Sequence, residues 1–256
     1  MADLASLTFD GPVATLTLRR PEARNALSLE LLGSVHERLD ELDAMQSGPT
    51  VLVFTGEGKS FCAGMDLKQV IIDGPESAGT PRQLLESLAR ACQRLRLLPS
   101  VTVASVSGAA IGGGCGLATV CDLAVTHAEA KLGFPEVDLG LCPAVVAPWV
   151  ARRIGHGRAR TVLLAGGLMS GRDAYELGLV SHVVDSADRL DEETRSVVSS
   201  LTAGGPRALR ATKELLNTID GSLAGDLLER GAALSADVLS TDEAQARLRS
   251  RLSDQN

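Results

Sequence analysis

The spacing of apolar and polar positions changes several times along the chain, and each change marks an element. Apolar character from Leu4 to Leu18, interrupted by the turn pair Asp10-Gly11, predicts a hairpin whose second strand covers residues 13–18. Pro21 closes it. Behind Ser28, an N-cap candidate, Leu31, Leu32, Val35, Leu39 and Leu42 recur at helical spacing. The turn Ser47-Gly48-Pro49 leads into the apolar run 50–55, a buried strand. A helix-like stretch over 66–72 then meets the polar, Gly/Pro-rich segment 73–81, expected to be a mobile loop. A helix over 82–98 stops at Pro99, a second buried strand covers 101–106, and an apolar helix spans about 113–120. A third strand follows over 123–126. This alternation predicts an α/β fold. From Ala144 onward the pattern is helical, with one short strand expected over 179–184. The stretch 206–252 carries amphipathic helices marked by Leu209, Leu215 and Leu216, then Leu227, Leu228, Ala232 and Leu234. The expected division is an α/β core over 1–195 and a helical C-terminal region over 196–256.

Composition narrows the function. With 45% of 256 residues hydrophobic, the chain can build a sizeable core, but at 2% aromatic content that core must be Ala, Val, Leu and Ile. A net charge of −7 argues against nucleic acid as a partner, because a phosphate-binding surface needs positive charge. No apolar run approaches the roughly 18–20 residues of a membrane span, and the first residues carry neither a basic stretch nor a signal core. Cys62, Cys92, Cys115, Cys121 and Cys142 are scattered without CxxC spacing, so neither a disulfide framework nor a metal site is expected. A reducing, cytoplasmic setting follows.

Two glycine-containing loops each join a buried strand to a helix. The first, residues 56–67, contains Gly58-Lys59-Ser60, but a phosphate loop would need glycine where Val53 stands. The second, residues 107–116, would need glycine at Leu117 to match a dinucleotide fingerprint. Gly112-Gly113-Gly114 can serve close packing of a helix on a strand. It can equally leave backbone N–H groups open at a helix N-terminus, where they would hold a developing oxyanion. Two such loops could supply two donors to one thioester oxygen. Glu136, flanked by Phe134, Pro135 and Val137, is the candidate acid or base, with a pKa raised by an apolar setting. Its competing reading is an exposed loop glutamate. His36 and His156 read as surface residues, His127 and His182 as strand ends, and none has a nucleophilic-triad motif around it.

Five segments resemble the crotonase superfamily, the enoyl-CoA hydratase/isomerase family, in family order. They cover residues 19–27, 61–67, 108–116, 134–141 and 170–180. The resemblance implies a spiral of ββα turns with a helical C-terminal trimerisation region, giving a homotrimer or a dimer of trimers. It assigns the oxyanion donors to the backbone N–H groups of Met65 and Gly113, and places Arg24, Ala26, Ala63, Asp66 and Leu67 along a coenzyme A pocket. It implies an acyl-CoA substrate from fatty acid metabolism and no separate cofactor, coenzyme A arriving as part of the substrate.

The chain departs from the family at one position. Family hydratases use two glutamates, at motif positions twenty residues apart; Glu136 fills the second, and the first is Gly116. Three residues beyond Gly113 on one helix face, a carboxylate at 116 is expected to point into the site. With the 143–148 stretch, this pattern is nearest to methylglutaconyl-CoA hydratase-like members. The expected activity is hydration or dehydration of a 2-enoyl-CoA. The alternatives are double-bond isomerisation using Glu136 alone, and a catalytically weak acyl-CoA binder.

Overall fold

The computed structural model describes residues 3–72, 77, 79–222 and 226–253. Most of the segment expected to be a mobile loop lies outside these residues, as do the side chains of Leu227 and Leu228. The chain opens with the antiparallel pair β1 (Ala5–Asp10) and β2 (Val13–Leu18). Ala14, Leu16 and Leu18 alternate inward, the period-two pattern of a half-buried strand. Helix α1 (Leu29–Asp43) follows, with Ser28 Oγ accepting from the Leu31 N–H at 3.2 Å. Then come β3 (Val51–Gly56), the short α2 (Leu67–Val70), α3 (Thr80–Leu97), β4 (Val101–Val106), β5 (Ala109–Ile111) and α4 (Gly113–Val120). Strands β6 (Leu123–His127) and β7 (Lys131–Gly133) precede α5 (Ala147–Ile154), α6 (His156–Ala165), β8 (Leu168–Ser170), α7 (Gly171–Leu177) and β9 (His182–Val184). The chain ends in α8 (Leu190–Thr202), α9 (Pro206–Ile219), α10 (Asp226–Leu239) and α11 (Asp242–Ser253).

Two sheets result. The larger has the order β1-β2-β3-β4-β6-β9 and is parallel from β2 onward. The smaller has the order β5-β7-β8. Isolated bridges Cys62–Ala110 and Leu27–Met65 carry its pairing pattern into the loops before α1 and α2. Each turn of the chain therefore lays one segment in each layer, the ββα spiral expected from the crotonase resemblance. The central strands β3 and β4 are buried on both faces of the large sheet. Leu52 and Phe54 of β3 join the main core, while Val51 and Val53 join Val103, Val125, Leu190 and Val197 under α8. Two-sided burial explains the unbroken apolar runs at 50–55 and 101–106.

Several expectations need correcting. The strand expected over 179–184 begins only at His182, because α7 ends in a left-handed turn at Gly178 and the Leu179 N–H folds back to Ala174 O. Strand β8 carries too few residues to show alternation in the sequence. Helix α8 runs through position 195 and packs on the sheet through Leu190 and Val197. His36 is not a surface residue. It is half-buried between α1 and α3, Nε2 3.2 Å from both the carbonyl and the hydroxyl oxygen of Ser87, and burial lowers its pKa. No helix among the described residues is long and apolar enough to cross a membrane.

Candidate active site

Two glycines in the left-handed region aim the two candidate donors. Gly64 has φ +92°, and a Cβ on it would stand 2.8 Å from Ile111 O; Met65 follows it directly. Gly112 has φ +53°, and a Cβ there would stand 2.8 Å from Glu136 Oε1; Gly113 follows it and opens α4. Both turns demand glycine, because an L side chain meets both strain and collision there. The loops are laced together: Cys62 N donates to Ala109 O at 3.0 Å, and Ile111 N to Cys62 O at 3.0 Å. Leu27 N donates to Gly64 O at 2.7 Å and Asp66 N to Leu27 O at 2.9 Å, which brackets Met65 without engaging its N–H. Gly113, in the first turn of α4, has no intrahelical acceptor. Among the described residues, neither the Met65 nor the Gly113 N–H has a hydrogen-bond acceptor.

Glu136 begins the 3-10 turn Val137–Leu139, its carbonyl accepting from Leu139 N at 3.0 Å and Leu141 N at 2.8 Å. Its side chain is buried against Gly112, and Oε2 has no hydrogen-bond partner. Burial pushes the carboxyl up to about 7; its own backbone N–H opposes this, and the charge of Asp138 adds to it. The competing picture of an exposed loop glutamate is therefore wrong. A carboxyl that exchanges its proton near neutral pH, with a free oxygen, is suited to proton transfer.

One cleft of about 670 Å³ gathers Arg24, Ala26, Ala63, Met65, Asp66, Leu67, Gly113 and Glu136 on its walls. Asp66 lines it but is also a structural post. Its carboxylate caps α2 through Lys68 N at 3.1 Å and takes a 2.7 Å bond from Arg20 Nη1, which also donates to Ala26 O. Asn25, at φ +54°, accepts from Arg20 N and donates to Glu57 O and Ser60 O, holding the 19–27 segment on the 56–67 loop. Arg20 and Asn25 both lie in the 19–27 segment, but their long-range bonds leave no local pattern in the sequence.

Gly116 does not line the cleft. It lies buried in α4, and Val146 fills the space its side chain would take, with Val146 Cβ 3.0 Å from the position of a Gly116 Cβ. The expectation that a carboxylate at 116 would reach the site fails on this obstruction. Beside Glu136 the cleft continues into a narrow apolar pocket between Leu85, Leu88, Val146 and Leu239. No sequence pattern links these positions, which come from α3, the 142–146 loop and α10.

Comparison with known proteins decides the family. The family model described as enoyl-CoA hydratase/isomerase matches residues 8–250. The chain belongs to this family. A Thermus thermophilus protein provisionally named an enoyl-CoA hydratase is 36% identical over 241 residues, 93% of this chain and 94% of its own. An enoyl-CoA isomerase/hydratase of Zymoseptoria tritici is 33% identical over 218 residues, 79% of this chain and 70% of its own. The crystal structure of an enoyl-CoA hydratase from Bacillus halodurans superposes with a TM-score of 0.87 at 24% identity, covering 96% of this chain and 99% of that one, and shows the shared fold.

Proposed function

We propose that the cleft binds an enoyl thioester of coenzyme A and stabilises its enolate, with Glu136 as the sole acid and base. The thioester oxygen would lie between the Met65 and Gly113 N–H groups, which then strengthen as charge develops on it. Arg24, Ala26, Ala63, Asp66 and Leu67 would flank the coenzyme A portion, and the reaction needs no separate cofactor.

The observation that carries this reading further is the obstruction of Gly116 by Val146. A second carboxylate has no place, so the geometry favours a double-bond shift over two-acid hydration. In a 3-enoyl thioester, the Glu136 carboxylate takes a C2 proton and the C–H electron pair moves into the thioester, placing negative charge on its oxygen. The dienolate then collapses, takes the proton from the Glu136 carboxylic acid at C4, and leaves the double bond between C2 and C3. Water addition to a 2-enoyl-CoA is the second reading, favoured by the hydratase names of relatives such as the Thermus thermophilus protein. There Glu136 would take a proton from water and return one to C2. A non-catalytic acyl-CoA binder is disfavoured by the raised pKa and unpartnered oxygen of Glu136.

Absorbance of the conjugated thioester separates these readings. A gain with 3-butenoyl-CoA marks isomerisation, a loss with crotonyl-CoA marks hydration, and binding without either change would leave only the binder. We further propose a homotrimer or dimer of trimers, supported by the exposed Leu215, Leu216 and Ile219 on α9. A cytoplasmic setting is supported by the five free cysteines.

A further inference from the structure

The apolar pocket beside Glu136 is small, and Val146, packed on Gly116, forms part of its wall. About 20 Å³ is free in this pocket, which Met65, Gly113 and Glu136 line on one side and Leu85 and Leu88 of α3, Val146, and Leu239 of α10 line on the other, enough for about one water-sized group. That is room for about one methyl group.

Val146 cannot retreat to enlarge it. Behind its side chain lies the backbone of α4 at Gly116. Its N–H donates to Pro143 O at 3.2 Å, and its carbonyl accepts from Trp149 N at 3.0 Å and Val150 N at 3.1 Å, at the start of α5. The preceding residues are held by α10. Ser235 Oγ donates to Cys142 O at 2.8 Å and accepts from Ala144 N at 3.2 Å. Gly231 approaches so closely that a Cβ on it would stand 2.6 Å from Ala144 O. The loop carrying Val146 is therefore fixed at both ends, and the side chain is pinned between α4 and the pocket.

We propose that Val146 determines acyl-chain length and that the substrates are short enoyl thioesters of coenzyme A, about four carbons long. With the thioester carbon between Met65 and Gly113 and the α-carbon beside Glu136, the pocket receives the terminal methyl of a four-carbon chain and is then full. This inference rests on the proposed acyl-CoA function.

Saturated butanoyl-, hexanoyl- and octanoyl-CoA bind without being turned over, so titration calorimetry reads chain length apart from the reaction. A buried methylene strengthens binding about fourfold. The wild type should therefore show no tightening from butanoyl to octanoyl. Val146→Ala, which removes two methyl groups from the pocket wall, should bind hexanoyl-CoA about tenfold tighter than the wild type does, with butanoyl-CoA little changed. Wild-type affinity climbing about fourfold per methylene out to octanoyl would overturn the proposal. So would a folded Val146→Ala protein with an unchanged hexanoyl-to-butanoyl ratio. Because the wild-type series alone can refute the length rule, a variant that failed to fold would not shelter it. Wild-type binding that tightens steadily with chain length would sink this inference alone, whereas no binding of any coenzyme A thioester would sink the proposed function and this inference with it.

Discussion

Val146 occupies with its own side chain the volume that a side chain on Gly116 would need. The glycine is thus a packing residue of α4, and the valine fills the space on its open side.

Gly116→Glu should therefore destabilise the fold without creating a two-acid site. Overpacking of this kind costs roughly 1–3 kcal/mol, or about 2–4 °C of melting temperature per kcal/mol in a chain of this size. Helix propensity works the other way, by less than about 1 kcal/mol, and does not cancel it. Adding Val146→Ala should recover part of the loss. A single variant that melts at or above the wild-type temperature would show that the space is open.

Glu136 should make stability depend on pH in a specific window. Its folded pKa of about 7 lies above the ordinary 4.5, so the folded state holds this proton more tightly than the unfolded state. The associated stability is fully present below pH 4.5 and is lost as pH rises through 7. By linkage the difference is about 3 kcal/mol, and Glu136→Gln removes it. Denaturant titrations should find the variant gaining on the wild type between pH 4.5 and 7 and more stable than it at pH 8. Parallel pH profiles for the two proteins would show that the carboxyl is not desolvated.

Lys213 anchors α9 to the sheet from a buried position. Its Nζ lies 2.7 Å from Asp122 Oδ2 and donates to Ser100 O at 2.8 Å, and burial lowers its pKa against the pull of Asp122. Removing one member of a buried pair costs about 3–5 kcal/mol; Arg96, 3.5 Å from Asp122 Oδ1, keeps this case at the low end. Lys213→Met should lower the urea midpoint accordingly. An unchanged midpoint would mean that the pair contributes no net stability.

The exposed apolar positions of α9 predict self-association. Leu215, Leu216 and Ile219 are more than half exposed, while the inward face carries Lys213 and Asn217. Light scattering at micromolar concentration should report a trimer or a hexamer, and Leu216→Asp with Ile219→Asp should shift it toward monomer. A wild-type monomer would contradict the proposed assembly.

Legibility in the sequence followed the range of the interaction. The Ser28 cap and the Leu31 to Leu42 stripe were readable because a helix needs only its own neighbours. Gly64 and Gly112 were readable within motifs because each glycine serves a turn that is local. Glu136 was a candidate, but its burial depends on the approach of Gly112, more than twenty residues earlier. The role of Val146 was hidden for the same reason: its contact with Gly116 and the grip of Ser235 on its loop join segments that share no periodicity. His36 was misplaced because the groove that half-buries it is made by a second helix, α3. The short β8 was missed because three residues cannot display a period.

The central claim is that Glu136 moves the proton on a thioester held by the Met65 and Gly113 N–H groups. Turnover of 3-butenoyl-CoA by wild type and Glu136→Gln, followed by the appearance of conjugated thioester, tests it most directly. The account predicts that the wild type forms crotonyl-CoA and that the variant is slower by roughly 10²–10⁴, with butanoyl-CoA binding retained. A Glu136→Gln protein that keeps most of the wild-type rate would contradict it.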